Sequence, residues 1–546
     1  MVDFVRKKLK PGKNIIEFNN IILDNTINQS VKISLNLSNS KDSANHISFF
    51  DNKLNKIYQT NKENVTWYNE ITDDLIISST ISNIQNIRII YYSVSYSFVT
   101  ISNLCIEKSL LPINLTYNLN EFELLVNKTF KTNTQKIKDL ITVEMNNKSK
   151  TTEKNSNVFP LSEKTYDHNE INSMVDVLLS DRLTMGKNVE LFEKEFASYV
   201  GSNYAIMVNS GSSANLLAMA VLSNFKYKNG FKKGDKVIVP TICWSTSVWP
   251  IIQMGLEPVF VDININTLNA DIDKVEKLLQ LDNKIKGMVV VHILGNTTNM
   301  DKLMKLKKDY NLILMEDTCE SLGSTYNDKY LGTFGECGTY SFYFSHHITT
   351  IEGGMVVTDD FDTYELLKCL RAHGWSRGIS GYNTDNNLDN RFCFINIGYN
   401  LRPMEIQAVM GRVQLKRLKN LNNNRIKNYE RIIDLLSKSN TKLLRYFTKE
   451  PNSNPAWFAL PFILNSKTCS KDMYLNYLES NNIETRPVVT GNFTKQPVFK
   501  DLNIDIDPST FVNAEIIHNQ GFFIGLPSYL LSDEKIKNLV DILLAV

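Results

Sequence analysis

The 546-residue chain has no apolar run of the ~18 residues that would cross a bilayer. The nearest approach, IRIIYYSVSYSFVTISNLCI at 88–107, is broken by Ser, Thr and Asn and is rich in β-branched and aromatic residues, so it reads as strands. The opening MVDFVRKKLKPGKN has no apolar core of signal-peptide length. Basic tracts are missing and the net charge is only +2, which argues against nucleic acid as the main partner. The seven cysteines are scattered and form neither CxC nor CxxC. That gives no support to a zinc or iron–sulfur cage and fits reduced thiols in a cytoplasmic setting. What remains is 42% hydrophobic and 22% charged, as in soluble globular proteins, and too long for one core.

Two periodicities divide the chain. Residues 1–110 read as β: VKISLNLS (31–38), HISFFDN (46–52), VTWYNEI (65–71), DLIISSTIS (74–82), NIRIIYYSV (87–94) and SFVTISNLCIEK (97–108). Short runs at regular spacing, without helical patterns, predict an antiparallel sandwich. Their order resembles the jelly-roll sandwiches of carbohydrate-binding modules, and a purely structural or oligomerising sandwich fits as well. Residues 111–157 read as a bridge, with the polar NNKSKTTEKNSN (146–157) as linker. From 158 the pattern becomes strand–helix alternation. KVIVP (236–240), GMVVVHIL (287–294) and NLILMED (311–317) are near-continuous apolar strands, separated by helical stretches. This predicts a mostly parallel sheet covered on both faces, with ligands bound at the carboxyl ends of its strands. The large α/β domain is placed at 158–425 and a small α/β domain at 426–546.

Several residues just after those strands carry chemistry. In VNSGSSANLLAMAVL (208–222) a Ser-Gly-Ser-Ser turn opens an apolar helix, an arrangement that serves either as a plain N-cap or as an anion site. ILMEDTCES (313–321) puts Glu316 and Asp317 at a buried strand end. A carboxylate there needs a partner, and either a helix cap or a protonated pyridine nitrogen qualifies. Trp244 follows another strand and can pack in the core or stack on a planar ring. SFYFSHHITTIEGGM (341–355) offers Ser341 as a further hydroxyl for a phosphate. The paired imidazoles of His346 and His347 lack Cys or acidic partners at ligand spacing, so no metal is expected.

Together these stretches resemble the sugar aminotransferase-like DegT/DnrJ/EryC1/StrS family of fold type I (aspartate aminotransferase-like) pyridoxal-phosphate enzymes. The resemblance runs from about 158 to the C-terminus. TMGKNVELFEKEFASYVG (184–201), VNSGSSANLLA, GLEPVFVDIN, MEDTCESLGSTYNDKYLGTFGECGTYSFYFSHHITTIEGGMVVTDD and GYNLRPMEIQAVMGRVQL (398–415) carry it. Most members have a cofactor-anchoring lysine where this chain has His346. The histidine branch comprises the 3-dehydratases of nucleotide-linked 4-keto-6-deoxy sugars. SHHITTIEGGM, LRAHGWSR (370–377) and ETRPVVTGNFTKQPV (484–498) are similar to the members acting on GDP-4-keto-6-deoxymannose. The neighbouring CDP-sugar branch needs a cluster-holding CxC pair, which is absent.

The resemblance implies a role for each matching residue. Asp317 partners the pyridine nitrogen, Trp244 stacks on the ring, and Gly211, Ser212 and Ser341 hold the phosphate. Glu320 faces the cofactor 3-hydroxyl, and Asn400 reaches the phosphate of a neighbouring subunit, which implies a homodimer with shared sites. Arg371, His373, Arg402 and Arg486 are candidates for gripping the nucleotide sugar. An imidazole at 346 cannot tether pyridoxal phosphate, but it can move protons near neutral pH. The implied cofactor is therefore bound noncovalently and works as pyridoxamine phosphate, with glutamate as amino donor. The implied activity is a hydro-lyase step in deoxysugar and polysaccharide biosynthesis. The alternatives are a nucleotide-sugar aminotransferase and a non-catalytic sugar-binding protein.

Overall fold

The computed structural model describes eleven strand segments between Val5 and Asn118, and residues 133–545 apart from 156–158, 381, 383–387 and 440–441. The chain divides into two compact units, Met1–Leu140 and Ile141–Val546.

In the first unit the described strands pair antiparallel. Ser30–Leu37 lies between Asn64–Asn69 and Ile84–Tyr92, and Ile47–Phe50 lies between Lys56–Thr60 and Ile76–Ser79. The jelly-roll closure, and side chains packed between two sheets, lie outside the described residues. The stretch read as linker falls largely within a helix, α1 (Asn133–Asn155). It contains neither Gly nor Pro, so nothing in its chemistry breaks a helix even though it lacks an apolar face.

The second unit is built on a seven-stranded sheet. In chain order its parts are α2 (Lys187–Val200), β1 (Tyr204–Val208), α3 (Gly211–Leu222), β2 (Lys236–Pro240), α4 (Ser245–Gln253), β3 (Glu257–Val261), α5 (Ile272–Leu281), β4 (Ile285–Val291), α6 (Met300–Tyr310), β5 (Ile313–Asp317), β6 (Cys337–Ser341), β7 (Gly354–Thr358) and α7 (Phe361–Arg371). The sheet order is β1-β7-β6-β5-β4-β2-β3. The β3–β2, β2–β4, β4–β5 and β5–β6 pairs are parallel, while β7 runs against both β6 and β1. The carboxyl ends of six strands therefore share one edge. Apolar runs such as VVV in β4 are buried because helices cover both faces. α5 shows how local sequence sets an element: Asp271 accepts from the Asp273 and Lys274 amides, and Ile272, Val275 and Leu279 form the buried stripe.

The boundary read at residue 425 falls inside a continuous helix, α8 (Glu405–Lys438), 34 residues long. It runs out of the large sheet region into a smaller antiparallel sheet made of β8 (Leu444–Tyr446), β9 (Leu460–Leu464), β10 (Thr485–Arg486) and β11 (Gly521–Ile524), in the order β8-β9-β11-β10. No helix among the described residues is long and apolar enough to cross a membrane.

Candidate active site

The shared edge assembles a polar corner where β1 meets α3. Ser210 caps the helix, its Oγ accepting from the Ser213 amide at 3.0 Å. The first-turn amides of Gly211 and Ser212 have no intrahelical acceptor and sit at the positive end of the helix dipole. Gly211 is required by a close approach: a Cβ there would stand 2.5 Å from Ser341 Cβ and 2.8 Å from its Oγ. Ser212 Oγ lies 3.5 Å from Thr246 Oγ1. Two amides and three hydroxyls from α3, α4 and the end of β6 thus converge on one corner, which is chemistry suited to a phosphate.

Alternation along β5 sends its two acids to different partners. Glu316 is wholly buried and accepts from the Gly332, Phe334 and Gly335 amides, with His292 Nε2 at 3.1 Å. Burial raises its pKa, but the imidazole and the amides outweigh that and hold it below the ordinary value. Glu316 therefore ties down the loop before β6. Asp317 is 4% exposed. Its Oδ2 accepts from Asn215 Nδ2 and from Ser247 Oγ, each at 2.7 Å, and its Oδ1 accepts from the Cys319 amide at 3.2 Å. All three donors are neutral, so the negative charge is held without a bonded cation.

Trp244 stands at the start of α4 and is 56% exposed, so its indole is not spent on core packing and is available for stacking. Glu320 accepts the amide of Leu294, a residue held in the left-handed region at φ 50°. Burial pushes the Glu320 carboxyl up to about 7, opposed by that amide and reinforced by the Asp317 charge. Near neutrality it can therefore either donate to or accept from a hydroxyl.

The two histidines separate clearly. His347 is fully buried with Nε2 2.8 Å from the Ala456 carbonyl, and its Nδ1, like that of His346, has no hydrogen-bond partner, so the ring bond to Ala456 is what distinguishes it. His346 has a buried Nδ1 with no hydrogen-bond partner, and its ring meets Phe458 and Tyr343 edge-on, at centroid distances of 5.3 and 5.9 Å. Burial, with the Arg425 charge adding to it, pushes His346 down to about 4, so at neutral pH its imidazole is a free base. Among the described residues, no group of three or more His, Cys, Asp or Glu is placed to hold a metal.

The candidates for gripping a nucleotide sugar are scattered. Arg371 is buried, and its Nη1 donates to Glu193 and to the Met207 carbonyl. It ties α7 to α2 and β1, and this commitment removes it from the substrate-gripping set. Arg371→Leu should strand the buried Glu193 carboxylate and lower stability by about 3–5 kcal/mol in urea unfolding. His373 (φ 64°), Arg402 and Asn400 lie together: Arg402 Nε donates to Asn400 Oδ1 at 2.9 Å, and His373 packs on Trp375 at 5.0 Å. Arg486 is exposed on β10, its Nη1 donating to the Thr485 carbonyl at 3.1 Å. Among the described residues, no hydrogen bond joins Asn400 or Arg486 to the phosphate corner.

Sequence reasoning missed Asn215, Thr246, Ser247 and Thr339, and also Arg377, whose guanidinium lies 4.9 Å from the Trp375 ring, against 5.9 Å for Arg402. A signal was available for two of them. Asn215 and Ser247 are lone polar residues on helix faces that are otherwise apolar and buried.

Residues 164–544 match the model of the DegT/DnrJ/EryC1/StrS aminotransferase family. The chain belongs to this family. It is 40% identical over 385 residues to GDP-4-keto-6-deoxy-D-mannose 3-dehydratase of Escherichia coli O55:H7, a match covering 69% of this chain and 97% of that protein. Among solved structures, it is similar to GDP-4-keto-6-deoxymannose-3-dehydratase with bound GDP-perosamine, with 38% identity, a TM-score of 0.66, and coverage of 70% of this chain and all of that one. A structure of the E. coli enzyme with bound hydrated PLP gives the same identity and TM-score and covers 70% and 99%. Family membership accounts for the mixed, mostly parallel sheet with β7 reversed. The family match, from residue 164, leaves the first unit uncovered.

Proposed function

We propose that the chain is a pyridoxal-phosphate-dependent 3-dehydratase of a nucleotide-linked 4-keto-6-deoxy sugar, with GDP-4-keto-6-deoxymannose as the first candidate substrate. The observation that carries this is His346. In an aminotransferase-family chain, the loop after the phosphate-facing strand carries at 346 an imidazole held as free base with an unpartnered nitrogen. An aminotransferase reading would need an amine there.

The residues present fit the cofactor. The α3 N-terminus with Ser212, Thr246 and Ser341 would hold its phosphate, the open Trp244 face its ring, Asp317 its ring nitrogen and Glu320 its 3-hydroxyl. Carried as its amine form, the cofactor would supply a nitrogen that takes up the C4 ketone and a ring that holds the electron pair freed at C4′ until that pair is released to expel the C3 hydroxyl. His346 removes a proton at the cofactor C4′ carbon and returns one to the departing hydroxyl, which leaves as water. Asp317 keeps the ring nitrogen charged throughout. With an imidazole and not an amine at 346, nothing at that position would recapture the cofactor covalently, so the nitrogen would depart with the product and be shed as ammonia. In the balance, the sugar loses one oxygen and is reduced, while glutamate is oxidised to 2-oxoglutarate and ammonia. The test is incubation with pyridoxal phosphate, glutamate and a panel of nucleotide-linked 4-keto-6-deoxy sugars. Loss of one oxygen from the sugar with ammonia release is expected, whereas an amino sugar as product would make the chain an aminotransferase.

Asn400 serves the neighbouring subunit's phosphate in this scheme, so sites are shared across a homodimer. Mixing inactive His346→Asn with Asn400→Ala protein should create one intact site per hybrid dimer and restore about a quarter of wild-type activity. Zero recovery under subunit exchange would place both residues in one subunit's site.

A further inference from the structure

We infer that Asn215, Ser247 and Thr339 are positioning residues for Asp317, holding its carboxylate turned so that Oδ1 is the oxygen offered to a ring nitrogen. This rests on the active-site assignment of Asp317 proposed above.

A carboxylate oxygen accepts about two in-plane hydrogen bonds. Asp317 Oδ2 already takes two, from Asn215 Nδ2 and Ser247 Oγ at 2.7 Å each, and both donor residues are 1% exposed. Oδ1 takes the Cys319 amide at 3.2 Å, and the Cys319 thiol is a further, weak and neutral donor to the carboxylate. Thr339 sets which end of the Asn215 amide faces the acid: its hydroxyl donates to Asn215 Oδ1 at 2.5 Å, so the NH₂ end turns to Asp317. Thr339 is also the register partner of Asp317 across the β5–β6 pair. The braces come from three separate elements, α3, α4 and β6, so the carboxylate cannot rotate without breaking at least one of these bonds.

The chemistry of the donors matters as much as their number. A buried carboxylate held by an arginine or lysine would share its charge with that cation. Here the bonded donors are a side-chain amide, a hydroxyl, a backbone N–H and a thiol, all neutral. They stabilise the anion while leaving its charge for a cationic partner in the site, which is what a pyridine nitrogen needs if it is to stay protonated.

The test uses holoenzyme loaded with ring-¹⁵N pyridoxal phosphate, following the nitrogen chemical shift against pH alongside kcat, KM and unfolding. Ser247→Ala should lower the pH at which the ring nitrogen loses its proton and cut kcat about tenfold, with KM for the sugar unchanged. Thr339→Val should do the same more weakly, and Ser247→Thr, which keeps the hydroxyl, should recover both readouts. In an Asp317→Asn background, Ser247→Ala should cost almost nothing further in kcat, because the group it positions is gone. If Ser247→Ala fails to fold, Thr339→Val and Ser247→Thr are decided by the same shift and kcat measurements. A wild-type nitrogen titration in Ser247→Ala and Thr339→Val, with only a lowered melting temperature, would overturn the inference. A ring nitrogen unchanged in Asp317→Asn alone would instead overturn the assignment of Asp317 itself.

Discussion

His346→Asn is expected to retain cofactor and sugar binding while dehydration falls by about three orders of magnitude, the upper range for loss of one positioned acid–base group. Asparagine approximates the volume of the imidazole and keeps polar atoms, so the pocket beside Phe458 and Tyr343 stays filled. What disappears is a nitrogen able to take and return a proton. Binding is checked by cofactor absorbance after dialysis, and chemistry by single-turnover sugar conversion. Turnover at the wild-type rate would remove His346 from the role of base. A linked effect concerns pH. The imidazole sits at about 4 in the folded protein against 6.5 ordinarily, so the unfolded chain takes up its proton first. The cofactor-free protein should therefore keep this contribution to stability above pH 6.5 and lose it as pH falls toward 4. His346→Asn should flatten that part of the unfolding curve.

Asp317→Asn should slow both halves of the reaction, deamination of glutamate and deoxygenation of the sugar, by about 10²–10³-fold. The new amide carries no charge to keep a ring nitrogen protonated. Its NH₂ group would also face the Asn215 amide or the Ser247 hydroxyl, both of which donate to Asp317 at 2.7 Å. Timing 2-oxoglutarate formation without sugar, then sugar conversion by preloaded enzyme, measures the halves separately. Loss confined to one half would mean that the acid serves a single step and not the ring throughout.

Much of the site was legible in one dimension because a parallel sheet puts its functional groups in a predictable place. Gly211, Trp244, Asp317 and Ser341 each follow or end an apolar strand, and the fold brings those strand ends to one edge. The linker helix was not legible, since 146–157 has neither an apolar stripe to announce a helix nor a Gly or Pro to end one. Arg371 was misread for a related reason: a basic residue in LRAHGWSR is equally suited to a phosphate and to a buried acid. Its real partner, Glu193, lies 178 residues earlier in the chain.

By itself the sequence determined the class of sheet, the family, the order of the chemical groups along the chain and the presence of an imidazole at 346 in place of an amine. Only the tertiary structure decided which of two adjacent histidines is left unpartnered, which of two adjacent acids is held by neutral donors, and which arginine is spent on packing. Those choices depend on burial and on partners from distant segments, such as Asn215, Ser247 and Thr339 around Asp317, and no local pattern encodes which groups meet in space.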